Sequence, residues 1–157
     1  MARVDFYHLQ QKTLEDVLPL LLQKAYSTGK RIKVKTQNEE RTEYLNSLLW
    51  TFNDESFLPH GSKKDGFADQ QPIWLSSAEE NANNAVFLFL VDGAEEAAEK
   101  LQNYERVFNI FDGKSAEALQ QARRLWKEYK AAGCEVNYWQ QNNAGKWEQK
   151  AGQEHKN

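Results

Sequence analysis

Residues 85–91 of the chain, AVFLFLV, are apolar without a break, and a turn-like Asp-Gly follows them. A strand with one wet face alternates apolar and polar residues. A run that does not alternate belongs to a strand covered on both faces, the usual situation inside a parallel sheet. Seven residues are far short of the roughly 20 that cross a bilayer, so the run predicts a buried strand and no membrane span. The rest of the chain must therefore supply partner strands and two covering layers.

It does so by alternation. RVDFYHL (3–9) has strand periodicity, and TLEDVLPLLLQKAYSTG then follows with helical periodicity. Thr13 is placed to cap that helix and Gly29 to end it. Pro19 lies inside it and predicts a kink or a later start. RIKVKT is a second strand, and Asn38 caps a second helix through EERTEYLNSLLWTF. A polar loop is expected as far as Gln71, then strands at PIWLSS and AVFLFLVDG. EEAAEKLQN reads as a short acidic helix, YERVFNIFDG as a strand and SAEALQQARRLWKEYKAAG as a long helix. EVNYWQQ and GKWEQK predict a closing hairpin across residues 142–145. The expectation is a three-layer α/β fold with a largely parallel sheet. Residues 1–150 are expected to form one domain, and 151–157 a flexible tail.

Composition narrows the function. The 157 residues are 40% hydrophobic and 27% charged, as in ordinary globular domains. The net charge of −3 gives no general field for nucleic acid. The single cysteine, Cys134, excludes an internal disulfide and a cysteine-rich zinc site. With no secretory signal pattern at the N-terminus, the expected location is the cytoplasm.

An α/β fold raises the prospect of a nucleotide-binding enzyme. Such a site needs glycines after the first strand, so that backbone amides can approach a phosphate. Here the turn is HLQQKTLED, with no glycine, and neither GxGxxG nor GxxxxGK[ST] occurs. Ser56 lacks the glycines of a nucleophile elbow, and no histidine spacing such as HExxH suggests a metal. No catalytic residue, metal or cofactor is expected.

Two stretches remain. In WTFNDESFLPHG (50–61), Asp54 and Glu55 suit a turn or cap, and His60 suits a loop hydrogen bond or the rim of an interface. Trp50, Phe57, Leu58 and Pro59 are too many apolar groups for one loop to bury easily, which suits a docking surface. On a helical wheel of residues 115–132, Ala118, Ala122, Leu125, Tyr129 and Ala132 share one arc, the core face. Leu119, Arg123, Trp126, Lys127 and Lys130 share the next. That second arc is either a solvated margin or a cationic site with an apolar floor, fit for an acidic peptide. Single-stranded DNA could also use cations beside an indole, although the acidic surroundings weaken that reading.

Three segments together resemble the chi subunit family of the bacterial DNA polymerase III holoenzyme: FYHL at 6–9, LWTFNDESFLPHG, and ARRLWKEYKAAG with the following VNYWQ. The resemblance runs from Phe6 to about Trp147. It implies a Rossmann-like fold without a phosphate loop, and a non-catalytic adaptor. One face would bind the acidic C-terminal tail of single-stranded DNA-binding protein (SSB), and so meet single-stranded DNA indirectly. Another would bind the psi subunit of the clamp loader, and some members also bind an accessory DNA helicase. Carried over by residue, the tail site is Arg123, Trp126 and Lys127, with Lys130 and Gly133 nearby. The psi-facing surface is Trp50, Phe57, Pro59 and His60. Where Trp126 stands, the family often has tyrosine. GKWEQKAGQEHKN extends beyond the shortest members.

Overall fold

The structure, a computed structural model, describes residues 2–52 and 58–151. Eight strands form one sheet: β1 (Arg3–Leu9), β2 (Ile32–Lys35), β3 (Gly61–Ser62), β4 (Ile73–Ser76), β5 (Phe87–Leu90), β6 (Arg106–Asp112), β7 (Glu135–Gln141) and β8 (Trp147–Ala151). Their order is β3-β4-β2-β5-β6-β1-β7-β8. Every neighbouring pair is parallel except the β7–β8 hairpin. Helices α1 (Leu14–Tyr26) and α2 (Glu39–Thr51) cover one face and α3 (Ala116–Ala131) the other. This is the expected three-layer, Rossmann-like α/β architecture.

The unbroken apolar run has the expected cause. Phe87 and Phe89 pack with α1 and α2, while Leu88 and Leu90 join the cluster under α3. All four are buried. Each helix begins where a side chain can satisfy its free amides: Thr13 in a capping box with Asp16, Asn38 through Arg41 N–H, and Ser115 through Ala118 N–H.

Four expectations are corrected. α1 starts at Leu14 in spite of Pro19, which is buried inside a helix that runs on to Tyr26. The capping box fixes the start, and burial of the ring offsets part of the lost hydrogen bond. Residues 98–103 form a 3-10 turn instead of a short acidic helix, because only Leu101 is buried and there is no apolar stripe to dock. The loop up to Gln71 contains β3, two residues long, and a 3-10 turn at Ala68–Gln70. Ala132, expected on the core face of α3, is the exposed C-cap, because the helix ends there and the chain turns back towards β7.

Ile32–Lys35 alternates, yet both its faces are buried. Ile32 and Val34 enter the α1–α2 core. Lys33 Nζ donates to the carbonyls of Ala78 and Glu80, each at 2.7 Å. Lys35 Nζ reaches the Glu95 carbonyl at 2.6 Å and the carboxylates of Glu79 and Glu96 at 2.8 and 3.2 Å. Burial pushes the Lys33 ammonium down to about 8, against the pull of Glu96. The Tyr129 hydroxyl of α3 donates to the Glu96 carbonyl at 2.7 Å, which ties the helix to this polar core.

Candidate functional site: a cationic helix face and an aromatic corner

α3 has two charged sides that behave differently. Arg124 is committed to Glu95 and, at 3.0 Å, to Glu128. Arg123, Lys127 and Lys130 are exposed. Among the described residues none of these three has an ion-pair or hydrogen-bond partner. Trp126, half-buried between them, packs on Phe6 at 5.6 Å and on Tyr138 at 6.1 Å. The structure thus brings four of the five predicted tail residues onto one face. The fifth, Gly133, sits just beyond the helix at φ +95°, a left-handed position that favours glycine, and its N–H bonds the Lys130 carbonyl at 3.1 Å.

Sequence reasoning missed the floor beside this face. His8 Nδ1 lies 2.5 Å from the Tyr138 hydroxyl, and Phe111 packs on the His8 ring at 5.1 Å. Burial pushes the Tyr138 phenol up, and the positive charge of Arg123 opposes that. Burial likewise lowers His8, against Asp112. Tyr138 therefore extends the apolar floor from Trp126 beneath Arg123. The visible signal was only that VNYWQ is aromatic. Which face Tyr138 takes depends on the pairing of β7 with β1.

The second candidate surface lies at the end of α2. Trp50 is half exposed and rests on His60, with ring centroids 4.0 Å apart. His60 is buried, its Nδ1 2.6 Å from the Leu58 carbonyl and its Nε2 3.0 Å from that of Asn46. It fixes the loop instead of lining a rim. Leu58, one of the four apolar groups thought too many for the loop to bury together, is a core residue. Pro59 is half-buried. Phe57, like Asp54, Glu55 and Ser56, lies outside the described residues. Nearby polar groups are occupied: Asp65 accepts from Asn46 and the Ser62 amide, and Glu43 accepts from the Ser62 hydroxyl. Burial raises the Asp65 carboxyl, but those two donors and the neighbouring cations bring it below its ordinary value. Phe67, 71% exposed at φ +58°, went unnoticed in the polar stretch KKDGFADQQ.

The turn after β1 is where this architecture would hold a phosphate. Here the amides of Gln10, Gln11 and Lys12 all point at one atom, the Oε1 of buried Gln141, at 3.1, 3.2 and 3.3 Å. The chain's own carboxamide occupies the anion's place. Around the adjoining crevice, Arg41 is held by Asp92 at 2.7 Å and by Glu15 at 3.4 Å. Among the described residues no group of three or more His, Cys, Asp or Glu side chains could hold a metal ion. Among the described residues no helix is long and apolar enough to cross a membrane.

A parallel α/β sheet with its phosphate turn filled from within, and with surplus cations on its last helix, defines a Rossmann-like domain whose surfaces carry the interest. The family described as DNA polymerase III chi subunit, HolC, matches residues 1–137, and the chain belongs to that family, which serves DNA replication. It is 25% identical over 152 residues to the "Probable DNA polymerase III subunit chi" of Rickettsia prowazekii (strain Madrid E), covering 94% of this chain and 91% of that protein. It is 26% identical over 136 residues to the "DNA polymerase III subunit chi" of Pseudomonas aeruginosa, covering 85% and 92%.

Proposed function

We propose that this chain is a non-catalytic adaptor of the DNA polymerase III holoenzyme, a single cytoplasmic domain of residues 1–150 with a short tail. On this reading α3 binds the acidic C-terminal tail of SSB. The corner of Trp50, Phe57, Pro59 and His60 docks psi, and through it the clamp loader; an accessory helicase is a further partner on this reading. Family membership supports the replication role. The observation that carries the tail assignment is the trio of Arg123, Lys127 and Lys130 around Trp126, unpaired among the described residues, in a chain of net charge −3. Cations left without partners at fixed positions are poised for a carboxylate, and Arg123 can take one with two parallel hydrogen bonds. Trp126 and Tyr138 then offer an apolar surface to a terminal aromatic ring.

The test is titration calorimetry with a short acidic peptide ending in Pro-Phe and a free carboxylate. Wild type binds it, and binding weakens with added salt because exposed charges are screened within about 8 Å at physiological ionic strength. Equal affinity for wild type and Arg123→Ala would falsify the placement.

A further inference from the structure

On the face of the sheet opposite the α3 site, a groove of about 300 Å³ runs between α1 and the β1–β7–β8 end. That volume is at the lower end of the range that holds small ligands, ~300–1,000 Å³. Its floor is aromatic. The Tyr7 ring is inclined only 16° to Phe108 and 11° to Trp139, with centroids 6.1 and 6.3 Å away. Trp147 of β8 stands edge-on to Tyr7, at 83° and 5.0 Å. Both indoles are partly buried against the α1–α2 core, and the part of each left uncovered faces the groove.

The floor is also rigid. Trp139 Nε1 donates at 3.2 Å to Asp5, a fully buried carboxylate that Arg3 and Arg106 hold from the other side. The Arg106 guanidinium lies 4.5 Å above the Phe108 ring. Across the groove, α1 contributes Lys24, which is exposed and has no ion-pair partner among the described residues. The guanidinium is thus already committed to Asp5, and among the described residues Lys24 is the free cation beside the aromatic rings. π-Surface beside a free ammonium suits a ligand that is itself flat and carries negative charge beside its ring. A hydrocarbon would leave the ammonium unused. An uncharged aromatic side chain would use only the floor.

We propose that this groove is a direct contact for single-stranded DNA: one base stacks on the Trp147 ring, which stands nearly perpendicular to the Tyr7–Trp139 floor, while its phosphate meets Lys24. The acidic chain as a whole cannot sustain a long electrostatic track, so the footprint is one or two nucleotides. This assigns a role to β8, the strand that carries Trp147. It is independent of the peptide site, because Trp139 and Tyr138 are successive residues on opposite faces of β7.

The experiment is fluorescence anisotropy of a labelled short oligothymidylate with the full chain at low salt, beside calorimetry with the acidic peptide. Wild type binds the oligomer. Lys24→Glu and Trp147→Ala each weaken it about fivefold or more, the loss expected when a stacked base loses its platform. Trp147→Phe restores most of it, and both weakened variants keep wild-type peptide affinity. Arg123→Ala does the reverse, losing the peptide and keeping the oligomer. No oligomer binding by wild type, or the same affinity in Lys24→Glu and Trp147→Ala, overturns the proposal. So does loss of the oligomer in Arg123→Ala, which would move DNA to α3. An oligouridylate that binds equally or more weakly is consistent with base-and-phosphate recognition, whereas tighter RNA binding overturns DNA as the occupant. Thymidine monophosphate binding as tightly as the oligomer overturns the strand reading in favour of a mononucleotide pocket.

Discussion

The α3 face and the Trp50–His60 corner each put an indole at the surface, but they differ in what happens to the charge around it. On α3 the cations are left over: Arg123, Lys127 and Lys130 have no partner among the described residues, while Trp126 is backed by Phe6 and Tyr138. At the corner the described carboxylates and the histidine are engaged. Asp65 and Glu43 are committed to Ser62 and Asn46, and both His60 nitrogens face backbone carbonyls. A ligand of the first surface gains from electrostatics and feels salt. A ligand of the second must gain from burial of apolar area. Two surfaces of similar aromatic content thus select for different chemistry.

The sharpest way to break this contrast is Arg123→Ala. It should cost the acidic peptide on the order of 2–4 kcal/mol, if a desolvated carboxylate loses its partner. Psi-side binding should be unchanged, with both read by calorimetry. Next comes His60→Ala, which removes the ring packed between the carbonyls of Leu58 and Asn46 and the N–H that one of them accepts, and should cost about 2–3 kcal/mol of folding stability in urea. A stability change near zero would mean that the ring does not hold the corner. Trp50→Ala and Phe57→Ala should each weaken psi-side binding by roughly 2 kcal/mol if they are hot spots. Peptide binding should stay as it was in the folded variants; loss of both activities would instead mark the residue as structural.

Smaller effects come from pH. Lys33 is pushed down to about 8 in the folded chain against 10.5 when unfolded. Between those values the unfolded chain holds more protons, so stability rises with pH. The gain should be of order 1–2 kcal/mol from pH 8 to 10. Burial lifts Tyr7 and Tyr104 to about 12. Their contribution is fully present below pH 10 and is lost as pH rises from 10 towards 12. Melting temperature should therefore climb and then fall across this range, and Lys33→Met should flatten the climb alone. The smallest expected effect is none: ATP in equilibrium dialysis should show no saturable binding, because Gln141 already satisfies the amides of the first turn.

What the sequence made legible was local. Thr13 and Asn38 mark their helices because a cap acts within three residues. Residues 85–91 mark their strand because its two-sided burial leaves no room for polar positions. Arg123, Trp126, Lys127 and Lys130 fall on one face by helical geometry alone. What stayed hidden depends on distant partners. Lys33 and Lys35 sit in an alternating strand, and only the loops that fold over them make them buried. Gly61–Ser62 becomes a strand only by pairing with β4. The floor of the α3 site needs His8 and Tyr138 to meet across 130 residues of chain, and no local pattern records that.

The bonds to Gln141 carry a consequence for the order of events during synthesis. They join the first turn to a residue some 130 positions later. At ~5–20 residues per second, the ribosome delivers Gln141 on the order of ten seconds after the turn. For that interval the amides of Gln10, Gln11 and Lys12 are open to water, and β1, which lies between β6 and β7, lacks β6 until residues 106–112 are made and β7 until the very end. The early half of the chain can collapse around α1 and α2, but the sheet closes at its centre only when the last strands arrive. A chain stopped before β7 would keep the turn permanently unlatched.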